Sequence, residues 1–575
     1  MKKLFIVILS LCVVMAIYSQ DISDDLLGDF GSSSIDDSTV QSTQTGFNTN
    51  AFELTLQGNS VFQVNAPVDP DNLNFSGYAK SPNFSNQVGL VINYADLKLV
   101  SLWDIDLVLN QSGDIASYIN ATPGENALYW SPWKFKIGAG FQIYSWGKAD
   151  GLNPTDNINP RDYRMGVDSE KLSVLSASVN FYPVNWFSME AVYVPYYQQS
   201  LYPKDFIKEL QSIDGFRKES IRTELTNAEL LTRLITPPDN NDDDGEKALT
   251  MMYLSTINTN QRKTISYDYN KYDFTTPIAG GKLNFNTSVI DFSFSYLYDY
   301  DKFPTPEITL VKEDLAQLLI LQNPATFALM LPIINGFSKN IYSIDSIQLQ
   351  YRRIHRIGFD IKKVFNNGVG LWLEAGYSMT DDYDNTSYKI RNDKLEWTLG
   401  TDFNFGPDNS FYANIQYSGN WNVGFDDTFY NDYADGKPDV NKIGDEGYME
   451  EFYYRAITNS LSSQYAGLNQ GLIVNMKFPF HNDMFAPELT AGYMVPLLYN
   501  YNWETKYGSA IIKPSFKIMP FDSFYITIGA NLLYSWHKVG EEISLDRETD
   551  QFGVFTADNK IFLEVEYKWA FTVTK

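Results

Sequence analysis

Val289-Ile290-Asp291-Phe292-Ser293-Phe294-Ser295-Tyr296 alternates strictly between two kinds of side chain. On an extended chain Phe292, Phe294 and Tyr296 share one face, and Asp291, Ser293 and Ser295 share the other, because successive side chains of a strand point to opposite sides. The same division recurs where Leu371, Leu373 and Ala375 oppose Trp372, Glu374 and Gly376, and where Tyr525, Thr527 and Gly529 oppose Phe524, Ile526 and Ile528. A soluble sandwich also alternates, but with shorter strands. Several of these runs exceed ten residues (Ser346–Lys363 among them), which is enough to cross a bilayer at the tilt that barrels adopt.

Extending the pattern predicts strands over 52–64, 86–96, 98–110, 125–130, 133–146, 172–182, 186–195, 277–286, 288–300, 346–363, 368–381, 393–405, 409–421, 466–479, 486–500, 509–519, 522–536 and 559–571. The weakest member is 125–130. Short connections alternate with mostly longer ones, such as 196–276 and 301–345. That sorting is expected of a membrane barrel with periplasmic turns and extracellular loops. The fold class is therefore all-β: a transmembrane antiparallel β-barrel of sixteen to eighteen strands, with helical segments in its outer loops, in the cell outer membrane. Tyr94, Trp133, Trp146, Trp186, Tyr193, Tyr377, Trp397, Tyr493, Trp536, Tyr567 and Trp569 lie near strand ends, where interfacial girdles are expected. The final strand, Ile561 to Phe571, carries the aromatic ending that the barrel assembly machinery reads, although Thr572 to Lys575 follow it.

Composition narrows the function classes. Across 575 residues, 44 Lys+Arg stand against 70 Asp+Glu, a net charge of -26. An acidic surface excludes a default nucleic-acid partner, because phosphate calls for a positive footprint. One Cys excludes a disulfide framework. Beyond the first residues no apolar stretch is long enough for a membrane helix. Residues 1–20 read as a signal peptide, with Lys2 and Lys3 ahead of apolar Leu4 to Ile17 and small Ser19 near the cleavage point. A lipid-attachment reading at Cys12 meets bulky Leu11 where a small residue is wanted. Residues 21–50 read as a flexible acidic periplasmic arm, leaving 51–575 for the barrel.

The stretch from Trp146 to Tyr163 is the densest in turn signals. Gly147 and Gly151 permit positive φ, Asn153-Pro154 and Asn159-Pro160 start turns, and Asp150, Asp156 and Asp162 offer partners to Arg161. Two readings stand. The loop folds inward as a constriction, or it simply locks itself through turns and one ion pair. On the strand near residue 354, Arg352 and Arg356 share a face, and Arg353 and His355 share the other. A cation facing lipid at mid-depth costs about 2–4 kcal/mol, so the strand must bulge, rise above the membrane or begin later. Arg352, Arg356 and Glu374 are the pore-lining candidates, with pairing of an arginine to Glu374 as the structural alternative.

Two outer connections carry apolar, helix-like stretches, Asp205 to Ile235 and Glu313 to Phe337. Leu318, Leu319, Phe327, Met330 and Ile333 of the second would make an unwelcome exposed patch, so they are expected to plug the lumen or cap it. The acidic runs Asn240 to Glu246 and Asp426 to Glu446 read as solvated loops. The first lacks the EF-hand glutamate, with Met251 in its place, so no metal site and no cofactor is assigned. The three histidines, His355, His481 and His537, fall apart from one another and from any hydroxyl and carboxylate set, so no catalytic residues are assigned.

The chain also resembles an uncharacterised outer-membrane barrel family of Gram-negative bacteria, linked with lipid-handling RND-type exporters. The resemblance runs through Gly138-x-Gly140-x-Gln142 into Trp146-Gly147, Asn153-Pro154-x-Asp156 and Pro160-Arg161-Asp162. It continues in Glu190 to Pro195, Tyr298-x-Tyr300-Asp301-x-Phe303-Pro304, Glu374 to Tyr377 and Tyr412-x-Asn414-x-Gln416-Tyr417. Membership implies an outer-membrane barrel without assigned enzymatic activity, and a lipid-exporting inner-membrane complex as partner. The expected function is a channel or transporter that passes a small or lipid-like molecule through a partly occluded lumen, with outer-membrane lipid as its surroundings. A surface adhesin or structural anchor is the rival.

Overall fold

The computed structural model describes residues 52–69, 74–75, 82–108, 118–149, 153–162, 170–201, 264–268, 273–302, 304–314, 340–406, 410–425, 445–462, 467–497, 507–539, 542–544 and 559–574. The expected signal peptide, the acidic arm, the apolar stretch from Asp205 to Ile235, the run from Asn240 to Glu246, Asp150, and Leu318, Leu319, Phe327, Met330 and Ile333 lie outside the described residues.

Twenty strands share one sheet, and two of them, Asn74–Phe75 and Glu542–Ser544, are short extensions. The other eighteen form a ring: β1 Phe52–Asp69, β2 Pro82–Tyr94, β3 Leu97–Val108, β4 Tyr118–Trp130, β5 Phe135–Gln142, β6 Val174–Val184, β7 Phe187–Val194, β8 Ile278–Asn286 and β9 Asp291–Tyr300. The circuit continues through β10 Arg353–Val364, β11 Gly370–Met379, β12 Lys394–Phe405, β13 Phe411–Asn422, β14 Leu468–Lys477, β15 Phe485–Leu497, β16 Tyr507–Phe521, β17 Phe524–Val539 and β18 Lys560–Thr574. Each pairs antiparallel with the next, and β1 closes on β18 from Glu53 opposite Thr574 to Pro67 opposite Lys560. Closure is what lipid demands, since an open edge there would leave backbone groups unpaired at several kcal/mol each. With strands about 4.8 Å apart and tilted about 40°, eighteen of them make a cylinder on the order of 35 Å across.

The short connections leave β2, β4, β6, β8, β10, β12, β14 and β16, as expected. Several turn by left-handed residues, including Ala95 at φ 50° and Ser523 at φ 67°. The outward parity is apolar and open to the surroundings, with Leu56, Leu99, Leu128, Val179, Ile357 and Leu563 all exposed. At the short-turn end, aromatic rings run from strand to strand on this face: Phe135 stacks on Phe181 at 4.6 Å, Phe285 on Phe292 at 4.7 Å, and Phe521 on Phe524 at 4.9 Å. An exposed apolar belt ending in an aromatic girdle places the barrel in a bilayer, and strand-built spanning places it in the outer membrane.

Four expectations need correction. The weak strand 125–130 is a full one, β4, which passes through Pro123 by a register shift opposite Ser101 and Trp103. Proline's missing N–H is tolerated at such an irregularity. The expected strand 346–363 is two strands, because Asn340–Gln350 belongs to a separate sheet and β10 starts afresh at Arg353. Trp146 and Tyr567 are buried rather than exposed girdle rings. Finally, of the acidic run read as a solvated loop, residues 426–444 lie outside the described residues, and its last residue, Glu446, opens a helix, α1 Glu446–Ser462.

That helix belongs to a small outer layer. Thr305–Asp314 pairs with Asn340–Gln350, which pairs in parallel with Thr264–Asp268. The Asp445 carboxylate caps α1 by accepting from the N–H of Gly447 at 2.9 Å and Tyr448 at 3.3 Å. Met449, Phe452 and Tyr453, spaced for one helix face, are buried. The Ile308 N–H donates to the Tyr454 hydroxyl at 3.0 Å, joining helix to sheet. Lys389 and Tyr388, between β11 and β12, bond Glu450 at 2.6 and 2.8 Å and tie this layer to the rim.

Candidate functional site: a loop folded inside the barrel

The connection between β5 and β6 leaves the wall and enters the interior. Tyr144 donates its N–H to Asn159 Oδ1 at 2.7 Å and its hydroxyl to Ser176 Oγ at 2.8 Å. Asn159 in turn donates to the Gln142 carbonyl at 3.0 Å and the Leu172 carbonyl at 2.8 Å, so one amide pins both ends of the loop. Trp146 and Ile158 then bury themselves among Val174, Val192, Val194, Ile278 and Leu297. All five project inward from β6 to β9, opposite in parity to exposed Val179, Tyr193 and Tyr296. A loop with an apolar underside has thus filled the space beside this arc of wall. The indole N–H of Trp146 donates to Glu190 at 3.0 Å, which satisfies its one polar group.

Gly147 has φ 110°, and a Cβ there would fall 2.4 Å from Asn153 Oδ1. Asn153 Oδ1 accepts from the N–H and hydroxyl of Thr155 at 3.1 and 3.2 Å, which makes the tight turn read from the sequence. The far side of the turn lies against β10 and β11. A Cβ on Gly376 would meet the Pro154 carbonyl at 2.6 Å, and one on Gly358 would meet Thr155 at 3.0 Å. Both glycines clear room for the loop backbone. Beside them Glu374, fully buried, accepts from the N–H groups of Lys148 and of Ala149, the latter at 2.5 Å, and from the Thr155 hydroxyl at 3.3 Å.

The return limb touches the opposite region. Arg161–Asp162 pairs with Glu170–Lys171, and Ser173 donates to the Pro123 carbonyl of β4 at 2.7 Å. Asp156 pairs with Arg161 as expected, at 3.7 Å, but Lys171 is nearer at 2.6 Å. The loop therefore locks itself, and it reaches from the β3–β4 region to β10–β11, seven strands away around a ring of eighteen.

Glu170 faces Asp104 and Asp106, which project inward from β3, and also Asp162. Its carboxyl keeps an accessible edge, but the barrel crowds it. That desolvation, then the three neighbouring charges, pushes it up to about 7. Because a carboxyl raised from its ordinary value of 4.5 holds its proton below about 7, the lumen gains a negative charge as pH rises through that point. The fold prefers the protonated form, so this group's contribution to stability falls as pH rises from 4.5 to about 7 and is level above. Bilayer reversal potentials should show cation preference rising between about pH 6 and 8, and Glu170→Gln should flatten that step. An unchanged step in the variant would assign it elsewhere.

The pore-lining candidates separate. Arg356 does face inward, yet its partner is not Glu374. It sits opposite Ser378, four residues along from Glu374, or about 13 Å at about 3.3 Å per residue. Its guanidinium bonds Ser378 Oγ at 2.9 Å and Asp299 at 3.4 Å. Fully buried Asp299 also receives Lys302 at 3.1 Å. Lys282 meets Asp360 at 3.3 Å, and Arg391 meets both oxygens of Asp301 at 2.9 Å. Arg352 stands at the outer rim, 3.6 Å from half-exposed Asp381. Sequence reasoning missed Glu190, Lys171 and Asp299 as partners, because they lie 44, 15 and 57 residues from Trp146, Asp156 and Arg356. Inward parity was the one signal available for Glu190 and Asp299. His355 faces outward, His481 sits in a short turn at φ 58°, and the side chain of His537 lies outside the described residues.

No family model and no curated protein matches the chain. Solved structures similar to it include OccD3 (OpdP) of Pseudomonas aeruginosa, at 8% identity, TM-score 0.39 and coverage of 91% of both chains. OccAB3 of Acinetobacter baumannii is similar at 8% identity and TM-score 0.42, over 90% of this chain and 99% of that one. The outer membrane channel DcaP of Acinetobacter baumannii is similar at 8% identity and TM-score 0.33, over 91% and 99%. The class of this protein, a closed eighteen-strand outer-membrane β-barrel, rests on its own strand pairing.

Proposed function

We propose that the protein is an outer-membrane channel for small polar solutes, narrowed by the loop between β5 and β6. The observation that carries this reading is the pair of loop N–H groups held by Glu374 on the far wall. A loop serving only to close a turn has no reason to be anchored across the interior. The described inner walls favour polar traffic. β13 presents Asn414, Gln416, Ser418, Asn420 and Asn422 inward, opposite in parity to exposed Tyr417 and Trp421. These side chains are buried, so the interior they face has to supply hydrogen-bond partners, which a greasy passage would strip away. A lipid-like cargo remains the alternative, carried by the apolar stretch from Glu313 to Phe337, and an anchor for adhesion is the rival outside transport.

Purified full-length protein in planar bilayers tests this. Discrete conductance steps, together with uptake of small sugars or amino acids into proteoliposomes, are expected. A silent barrel would overturn the channel reading, and lipid recovered from the lumen without solute uptake would replace polar cargo with lipid.

A further inference from the structure

Arg353 and His355 occupy the outward parity of β10, the face that exposes Ile357 to lipid. They sit at its long-loop end, opposite Tyr300 and Tyr298 of β9. The Arg353 guanidinium lies over both rings, 3.9 Å from the centre of Tyr300 and 4.6 Å from that of Tyr298, and donates to the Pro277 carbonyl at 2.5 Å. His355 Nδ1 shares a hydrogen bond with the Tyr296 hydroxyl at 2.7 Å. Among the described residues no carboxylate lies within ion-pair distance of either. The cation is therefore held in place, partly screened by aromatic faces, and left without an anion.

The surface beside it is shaped. Going from β9 to β7, Tyr298 is opposite Ala279 and Tyr296 opposite Gly281, and Gly281 is opposite Ala191. Ala191 and Ala279 are exposed, and Tyr193, opposite Ala279, stands out at the far side. A shallow trough of small residues thus runs between tyrosine walls on the lipid face, with Arg353, bonded to the Pro277 carbonyl, at its outer head and His355 across the Tyr298 wall. A phosphate at the head would supply the missing anion to donors in fork geometry, and an acyl chain would fill the trough.

We propose that this is a binding site for a phosphate-bearing lipid of the outer leaflet, with its headgroup on Arg353 and His355 and a chain along Ala191, Ala279 and Gly281. The site lies outside the lumen and is independent of whether the barrel conducts. The full-length protein in nanodiscs is titrated with diphosphoryl lipid A, with the same lipid lacking its phosphates, and with inorganic phosphate, following bound lipid by native mass spectrometry. Saturable retention of diphosphoryl lipid A is expected, weakened about tenfold or more by dephosphorylation and by Arg353→Gln with His355→Gln, and unaffected by millimolar phosphate. Heat-resistant electrophoretic mobility shows that the variant is folded, and Ala279→Trp, which fills the trough and leaves Arg353 and His355 in place, is expected to weaken retention as well. Equal retention by the double variant, or by the dephosphorylated lipid, overturns the proposal. Full competition by inorganic phosphate would make it an anion site and overturn the lipid assignment.

Discussion

Glu374→Gln should give a barrel that folds normally and conducts more, with flickering between levels in place of steady openings. The wild-type carboxylate accepts from three donors, two of them backbone N–H groups of Lys148 and Ala149. Each such hydrogen bond contributes about 1 kcal/mol net, and a buried donor left unpaired costs about 1–3 kcal/mol. Gln keeps one acceptor oxygen but turns an amide N–H group toward a site that holds only donors. A net loss of about 2–3 kcal/mol shifts the seated-to-released equilibrium of the loop by about 30- to 160-fold. The rest of the anchorage, Trp146 in its apolar pocket and the Asn159 amide bonds, stays in place, so the loop should swing rather than unfold. Single-channel recordings read this directly. Wild-type conductance and noise in the variant would remove Glu374 as the latch, and with it the main support for a built-in constriction.

Why the latch stayed hidden while the barrel was legible follows from what alternation encodes. Phe292, Phe294 and Tyr296 declare a lipid face wherever they occur, because that face sees solvent of one kind along its whole length. Alternation does not say which sheet a strand joins. From Ser346 to Lys363 the parity runs on through Tyr351 and Arg352 with no glycine or proline to break it there, and so two strands in different sheets read as one. The opposite shortfall came at Pro123-Gly124, just ahead of the expected start at 125, where β4 bears a bulge and continues. Trp146 shows the limit for the site itself. An aromatic at a strand end suits an interfacial girdle, and only the contacts of Ile158, Val192 and Ile278 reveal that the chain has already turned inward. The pairing of Lys148 with Glu374 spans 226 residues and depends on the strand count between them, which no local pattern carries.

Removing Asp299 should cost more stability than any other single change to the inner wall. It is fully buried, and it holds Arg356 at 3.4 Å and Lys302 at 3.1 Å. Breaking a buried ion pair from one side strands the other charge, and that costs about 3–5 kcal/mol. Here Asp299→Asn leaves two cations facing one neutral amide. Among the described residues Arg356 then keeps the Ser378 hydroxyl at 2.9 Å as its hydrogen-bond acceptor, a weaker one than a carboxylate. The temperature at which the folded band is lost on electrophoresis should drop, and urea unfolding in detergent micelles should move to lower midpoint. Adding Arg356→Met should restore part of the loss, because methionine fills a similar volume and removes one of the two charges left facing the amide. Partners in one network should couple by about 0.5–3 kcal/mol, so the double variant should be more stable than the sum of the single effects. Strict additivity would mean that Arg356 gains little from Asp299, and that the wall here is held by strand pairing alone.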